Sequence, residues 1–358
     1  MQFLEIISGW VNRYFSNEEA VYLIAMIGVI LLVLLTIGDV LAPIITGLVI
    51  AFLLLGLVKR FEAVGVPRTL SVYLAFLLFV GGVLALLLIV LPLVWRQVQG
   101  LLSLLPAGVE RLNEGLQQLA QRFPEYVTQE QISTLVDQGA AELASISTSV
   151  LGTAFSQVFS LLGLLIYVVL VPIAVFFFLK DKDELLAWLA TLLPRNRSLL
   201  TAVGTEMNFQ LGNYVRGKFI EILIVGATTF VAFTALGLNY AALLGLLVGV
   251  SVLIPFVGAA VVTLPVFVVA VIQYGWSWEM GLVMGVYGVI QFLDGNVLVP
   301  LLFSEVVDLH PITIIVAVLV FGGIWGVWGV FFAIPLATLV KAIYNAWPKA
   351  LPTAEVDT

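Results

Sequence analysis

The sequence predicts an all-α polytopic membrane protein with about eight transmembrane helices. Its mean hydropathy is +1.16, 62% of its residues are hydrophobic, and only 10% are charged. Several uncharged runs reach the length of about 20 residues that a helix needs to cross the hydrocarbon core of a bilayer. No small-residue cleavage site follows a basic N-terminal region, so we expect the first span to stay in the mature chain.

The N-terminal region, residues 1–95, contains the first three predicted membrane helices. Uncharged runs cover 21–38, 40–58 and 69–95. Only Asp39 separates the first two runs, which predicts a helical hairpin with Asp39 at its tip.

Residues 96–150 differ in character, because acidic residues outnumber basic ones. Apolar residues at three-four spacing predict an amphipathic helix; they are Val109, Leu112, Leu116 and Leu119. The dipeptide Phe123-Pro124 is expected to break this helix, and Thr128 is expected to cap a second one. We therefore predict a small helical segment outside the membrane.

Residues 151–180 contain a fourth predicted membrane helix, over about 156–179. Residues 181–218 follow with an excess of Lys and Arg and a Leu/Trp-rich stretch, which predicts cytoplasmic interfacial helices. An amphipathic helix leading into the next span is predicted by Leu200, Val203, Met207, Leu211 and Tyr214.

The distribution of basic residues predicts the orientation in the membrane. The loops at 59–68 and 180–218 and the tail with Lys341 and Lys349 are the basic ones. By the positive-inside rule these regions face the cytoplasm, so both termini are expected there.

Residues 219–347 form the predicted transport core, followed by a cytoplasmic tail over 348–358. No Lys or Arg occurs between Phe219 and Val340, so any acid buried there lacks a basic partner nearby in sequence. The uncharged run 241–273 is too long for one straight span at about 1.5 Å per residue.

The predicted helices of this core are a fifth span over 219–236, the broken run, a seventh over 279–303 and a last over 311–345. Pro255 and Gly258, within IPFVG, predict that the long run is broken or re-entrant. Counted as one crossing, it makes three crossings after the turn near Asn239. Glu221 is expected to pair with Arg216 or Lys218 near the cytoplasmic surface.

The stretch QFLDGNVLVP, residues 291–300, predicts a substrate or ion site. A carboxylate at membrane depth is costly unless it is paired or hydrated, so such residues commonly serve function. The candidate residues are Gln291, Asp294, Gly295, Asn296 and Pro300. A cap at a helix end is the structural alternative for Asp294.

Three further candidates lie outside this stretch. Pro255 and Gly258 could free a carbonyl to bind a polar substrate, although an ordinary helix kink explains them equally well. His310, before Pro311, is expected to cap the last span, although its pKa range would suit proton coupling.

Catalysis and cofactors are not expected. The chain has no Cys and a single His, which excludes thiolate and multi-His metal centres. The only His lies at a span end, and no second Asp occurs in mid-span for a two-Asp protease. The net charge of −7 is not typical of nucleic-acid binding.

In their order, the motifs IPFVG, QFLDGNVLVP and LHP (309–311) resemble the AI-2E (autoinducer-2 exporter) family of bacterial inner-membrane proteins. The resemblance covers about residues 20–347. It implies transport: export of the small polar signal autoinducer-2, or sodium or lithium/proton antiport. It also implies a homo-oligomer, with a pentamer as the expected form. The family usually has Glu where Asp294 stands and Gln where Lys218 stands, which leaves the substrate open.

Three functions follow as hypotheses. The leading one is a secondary carrier that exports a small polar organic solute such as autoinducer-2. The alternative is a monovalent cation (Na⁺ or Li⁺)/proton antiporter, in which Asp294 alternates between a proton and a cation because no fixed positive charge competes for it. A third is a membrane scaffold that binds a partner through helices within 107–148.

Overall fold

The structure is a computed structural model. It describes residues 18–122, 133–134, 138, 141, 161–194, 197–303 and 309–346. These residues form helices joined by short turns, and no strand occurs among them. The helices and two π-helical turns are α1 (Glu18–Ala63), α2 (Arg68–Ala85), π1 (Leu86–Val90), α3 (Leu91–Arg122), α4 (Leu161–Lys180), α5 (Lys182–Thr191), α6 (Ser198–Ala235), α7 (Ala241–Ser251), α8 (Val257–Tyr274), α9 (Trp278–Leu293), π2 (Asp294–Leu298), α10 (Val299–Phe303), α11 (Pro311–Phe331) and α12 (Ala333–Ala346).

Within the described ranges, seven helical stretches are long and apolar enough to cross a membrane. They are Val21–Gly38, Val40–Ala63, Arg68–Leu104, Ser198–Ala235, Val257–Tyr274, Trp278–Phe303 and Pro311–Phe331. Shorter apolar helices cover Ile166–Lys180, Ala241–Ser251 and Ala333–Tyr344. The predicted fold class, an all-α polytopic membrane protein, is confirmed.

The described residues fall into two compact units. The first is drawn from Met1–Leu53, Ala174–Val215 and Glu305–Thr358, and the second from Leu54–Ile173 and Arg216–Ser304. The core of the second unit joins α6, α7, α8 and α9, and its most buried members are Phe233, Leu244, Val248, Val266 and Ala270.

In the first unit, α1 is broken at Ile37 (φ −130°, ψ 19°). The predicted division of this region into two spans therefore holds, but the predicted hairpin tip at Asp39 is wrong, because the chain is helical at Asp39 and its break lies at Ile37. The hydroxyl of Thr36 donates to the carbonyl of Leu32 at 2.8 Å. Such a bond from a Thr side chain to the preceding turn bends helices.

The helix that starts at Arg68 runs on through the π1 turn to Arg122. The predicted third span ends at residue 95, but no helix break occurs there. The helix is described as far as Arg122, and the predicted breaker Phe123-Pro124 lies outside the described residues. The predicted second helix from Thr128 lies outside the described residues.

The N-terminal half of α6 is amphipathic, as predicted. Its five predicted apolar positions are buried or half-buried, and the hydroxyl of Tyr214 donates to the carbonyl of Phe331 at 2.9 Å. The predicted interfacial helix before it is α5. The α6 helix then continues without a break into the membrane span, to Ala235.

The prediction that 311–345 forms one continuous span is wrong, because this region is divided between α11 and α12. The chain leaves helical geometry at Trp325 (φ −132°) and at Gly326 (φ 57°, ψ −136°), a left-handed conformation that favours glycine. A side chain at Gly329 would collide with the carbonyl of Phe321, so the chain folds back tightly there. The helices α11 and α12 pack on each other, with Ala317, Ala333 and Ala337 buried in their core.

In the second unit, α7 and α8 form a re-entrant hairpin. The side chain of Gln273, at the end of α8, accepts from the Asn239 N–H at 2.7 Å and donates to the Gly237 carbonyl at 2.8 Å. The Tyr274 hydroxyl donates to the Leu236 carbonyl at 2.8 Å. The turn that precedes α7 thus lies beside the end of α8. The predicted break within 241–273 is confirmed, and its two halves form a hairpin and not one straight helix.

Close contact between α6 and α7 depends on three glycines. A Cβ at Gly249 would lie 2.8 Å from the Ile222 carbonyl and 2.9 Å from Gly226 Cα, and a Cβ at Gly245 would lie 2.9 Å from the Gly226 carbonyl. These neighbours are backbone atoms, which cannot move aside as a flexible side chain can. Glycine is therefore needed for the approach, as in small-residue packing of membrane helices.

We expect Gly249→Ala to separate α6 from α7 and to lower the free energy of unfolding by about 1–3 kcal/mol, the usual effect of overpacking. The measurement is thermal unfolding of the purified protein in detergent. The matched control is Gly285→Ala, because a Cβ there meets no atom within 4 Å; its better helix propensity leaves stability unchanged or slightly higher. Equal melting temperatures for Gly249→Ala and wild type would contradict this packing.

The first turn of α6 is capped by Glu19 from α1. The carboxylate of Glu19 accepts from the Leu199 N–H at 2.7 Å and from the Ser198 hydroxyl at 3.0 Å. A carboxylate here also interacts favourably with the helix dipole. The Leu199 N–H is the main cause that holds the pKa of Glu19 below its ordinary value of 4.5.

Because the folded state lowers the pKa of Glu19, the ionised carboxylate stabilises the fold above pH 4.5, and this contribution is lost as the pH falls through the lowered folded pKa. We expect Glu19→Gln to lower the melting temperature at neutral pH, with a difference from wild type that shrinks below pH 4.5. Glu184→Gln, on the exposed α5, is the control and should show no such dependence. A difference that stays constant with pH would contradict the cap.

Candidate functional site

The C-terminal end of α7 lies inside the apolar part of the chain and is capped by a lysine from α6. The Lys218 Nζ donates to the carbonyl of Val252, the residue after α7, at 2.8 Å. A broken helix leaves carbonyl groups without helical partners, and its C-terminal end carries partial negative charge. A cation is the group that stabilises such an end best.

The same ammonium forms a buried ion pair with Glu221, one turn along α6. The distance from Lys218 Nζ to Glu221 Oε2 is 2.8 Å, and the two side chains are 6% and 2% exposed. The Phe303 ring lies on another side of the ammonium, with its centroid 5.3 Å from Nζ. Gly217 permits this contact, since a Cβ there would lie 2.6 Å from the Phe303 ring.

Asp294 lies at the C-terminal end of α9. It begins the π2 turn, in which the Val299 N–H bonds to the Asp294 carbonyl. The wider π turn rotates the residues that follow relative to an α-helix, and such turns are frequent at functional sites. Electrostatic interactions link the Asp294 carboxylate to Lys218 and to Glu221.

Glu221, Gln291 and Asp294 each have one buried polar atom that makes no hydrogen bond of good geometry within the described part of the chain. They are Oε2 of Glu221, which is ion-paired with Lys218, Nε2 of Gln291, a donor, and Oδ1 of Asp294, an acceptor. Gln291 and Asp294 lie three positions apart and thus on one face of the helical segment. Buried polar groups are nearly always satisfied, so each exception requires an explanation.

The tip of the hairpin is strained and tightly packed. Phe256 has a left-handed conformation (φ 62°, ψ −47°) that costs energy for a residue with a side chain, and the Val257 N–H donates to the Pro255 carbonyl at 2.7 Å. A Cβ at Gly258 would collide with the Ser251 carbonyl. Gly258 therefore allows the close turn from α7 to α8, and Pro255 lies within that turn.

The tip is also attached to α9. The Tyr287 hydroxyl donates to the Ala259 carbonyl at 2.9 Å and accepts from the Thr263 hydroxyl at 3.1 Å. Tyr287 is buried and lies one turn before Gln291. This contact fixes the part of α9 that leads to Asp294 against the beginning of α8.

The other predicted residues lie outside this cluster of polar contacts. Asn296 is exposed, and its Nδ2 donates to the Phe292 carbonyl of its own helix at 2.9 Å. Gly295 and Pro300 are exposed on the same segment. His310 belongs to the other unit, where its Nδ1 accepts from the Ile312 N–H at 3.3 Å. His310 thus caps α11, as its structural interpretation predicts.

Lys218 and Glu221 were absent from the residues predicted for the site. Their spacing predicts the ion pair, which is confirmed, but it places the pair at the membrane surface. The structure buries both side chains and brings Lys218 into electrostatic range of Asp294. The sequence contained one indication: Lys218 is the last basic residue before 122 residues without Lys or Arg.

A polytopic helical protein with a re-entrant hairpin and a buried polar cluster at its tip has features of membrane transporters, in some of which broken helices form the substrate site. The chain belongs to the AI-2E transporter family: the family described as AI-2E family transporter matches residues 21–349. The chain is a multi-pass membrane protein of this family.

Relatives cover nearly the whole chain. PerM of Escherichia coli K12, named as a candidate permease, is 41% identical over 345 residues, which are 96% of this chain and 98% of PerM. YrrI of Bacillus subtilis 168, named as a candidate transport protein, is 26% identical over 86% of this chain and 87% of its own. The AI-2 transport protein TqsA of Escherichia coli K12 is 24% identical over 89% of this chain and 90% of TqsA.

Removing one partner of the buried pair leaves the other charge uncompensated, which costs about 3–5 kcal/mol in proteins. We expect Glu221→Gln to destabilise the protein by about that amount and the double variant Lys218→Met/Glu221→Gln to destabilise it less. Denaturation in detergent over the complete double-mutant cycle measures the coupling. Glu206→Gln, exposed on the same helix, is the control. Additive effects of the two single substitutions would contradict a coupled pair.

Proposed function

We propose that this protein is a secondary transporter that exports a small polar organic solute, with autoinducer-2 as the leading candidate. One observation carries this proposal: Asp294 Oδ1 is buried without a hydrogen-bond partner in the described chain, and the amide of Gln291 lies on the same helix face. An unpaired buried acceptor or donor costs about 1–3 kcal/mol, and more for a charged group. A solute with a hydroxyl donor for Asp294 and an acceptor for Gln291 would satisfy both groups.

The hairpin of α7 and α8 supports the proposal because it borders the polar cluster and belongs to the kind of segment that moves during transport. The polar cluster lies at a helix break, where the chain already departs from regular hydrogen bonding. In secondary transporters, substrates bind where discontinuous helices meet, and the surrounding segments open to one side and then to the other. The name of TqsA, an AI-2 transport protein, favours autoinducer-2 as the first solute to test.

Cation/proton antiport is the second candidate, and the structure gives a reason to rank it lower. The antiport hypothesis requires that no fixed positive charge compete for Asp294. The Lys218 ammonium interacts electrostatically with that carboxylate. A Na⁺ or Li⁺ ion at Asp294 would therefore be repelled by a cation that is part of the protein.

We further propose that the protein lies in the bacterial inner membrane with both termini in the cytoplasm. The support is the location of Lys and Arg in the loops at 59–68 and 180–218 and in the C-terminal tail. The homo-oligomer implied by the family resemblance stays a prediction. The boundaries 96–150 of the amphipathic helical segment and its location outside the membrane also stay predictions.

We expect Asp294→Asn to reduce solute flux by about tenfold or more, since the substitution weakens a hydrogen bond to a charged group. The measurement is uptake of autoinducer-2 and other small polyhydroxylated solutes by liposomes into which the purified protein has been reconstituted. Gln291→Leu should reduce flux in the same direction. Glu279→Gln, which changes an exposed carboxylate at the start of the same helix, is the control and should transport like wild type.

Two results would overturn the proposal. The first is that wild-type protein, folded by its melting curve, moves none of the solutes. The second is that Asp294→Asn transports at the rate of wild type. If flux of Na⁺ or Li⁺ against protons instead depends on Asp294, the antiport hypothesis takes the place of solute export.

A further inference from the structure

Lys218 binds the oxygen atoms that a monovalent metal cation would use. Its Nζ lies 2.8 Å from Glu221 Oε2 and 2.8 Å from the Val252 carbonyl oxygen. The Asp294 carboxylate interacts with it electrostatically. Carboxylates together with carbonyls at the C-terminal end of a half-helix are the ligands that coordinate Na⁺ in carriers with broken helices.

The ammonium is held too firmly to leave this position easily. The Lys218 side chain is 6% exposed, and the Phe303 ring covers it at 5.3 Å. A lysine that left would deprive the Val252 carbonyl of its donor and leave Glu221 buried as an unpaired charge. Both losses are costly, so the bound ammonium is the stable arrangement.

The ammonium itself opposes a second cation in its position. A metal ion placed against Glu221 Oε2 or the Val252 carbonyl oxygen would lie beside the ammonium, which is 2.8 Å from each of these atoms, in a poorly screened environment where the repulsion is strong. A polar solute meets no such repulsion.

We propose that Lys218 determines the charge selectivity of the site: its ammonium is a tethered cation in the position that Na⁺ or Li⁺ would occupy between the carboxylate of Glu221 and the carbonyl of Val252. The site consequently accepts an uncharged polar solute and excludes monovalent metal cations. This inference rests on the proposed transport function, but its claim about cation binding can be tested without measuring transport.

The test is the effect of Na⁺ and Li⁺ on the melting temperature of purified protein in detergent, with choline chloride keeping the ionic strength constant. We expect no effect on wild type. Lys218→Ala opens the position, so Na⁺ or Li⁺ should raise its melting temperature and bind at least about tenfold more tightly than to wild type. Lys218→Gln, which keeps one donor for the Val252 carbonyl, is measured in parallel in case the alanine variant does not fold.

The matched control is Lys218→Ala/Glu221→Gln, which removes one of the carboxylates and should lose the response to Na⁺ and Li⁺. Stabilisation of wild type by either ion would overturn the proposal, and this result needs no variant. A folded Lys218→Ala or Lys218→Gln protein that does not respond to either ion would also overturn it. Solute flux by wild type is measured separately, so a failure of the transport proposal is distinguishable from a failure of this one.

Discussion

A helix that ends in the buried interior of a protein must satisfy its last carbonyl groups without water, and in this protein Lys218 does so for α7. Much of the second unit follows from this one bond. The ammonium needs a counter-charge, which Glu221 supplies one turn away. The pair in turn must be covered, which Phe303 does. Cap, ion pair and cover are thus mutually dependent, and none of them would be stable alone in an apolar environment.

The glycines of α6 and α7 make that bond possible. Lys218 reaches the end of α7 because the two helices approach at Gly226, Gly245 and Gly249, where backbone contacts backbone. The approach gives dispersion contacts where the hydrophobic effect is weak, since lipid tails are as apolar as Leu. Helix packing and site geometry therefore have one origin, and a methyl group added at a contact glycine would affect both.

The local breaks of this fold were predictable from sequence, and its long-range contacts were not. Pro255 and Gly258 marked the break between α7 and α8 because they act on their own backbone. Hydropathy does not distinguish a crossing from a hairpin, so the return of α8 required the bonds made by Gln273. Asp294 was predicted as a site residue because an acid at membrane depth is energetically costly. The contribution of Lys218, which is distant in sequence, depends on how the helices pack and therefore was not predicted. Asn296 was included in the predicted site on composition alone, but its amide donates to a carbonyl of its own helix.

The arrangement around Asp294 separates charge compensation from hydrogen bonding. The Lys218 ammonium forms an ion pair with Glu221 and donates to the Val252 carbonyl, whereas Asp294 Oδ1 receives no hydrogen bond within the described chain. The field of the ammonium therefore lowers the cost of the Asp294 charge without occupying that oxygen. A solute hydroxyl can then bind Oδ1 without first displacing an internal donor. Because the fixed pair remains intact when the solute leaves, the empty site stays stable, and a carrier must tolerate its empty state in every cycle.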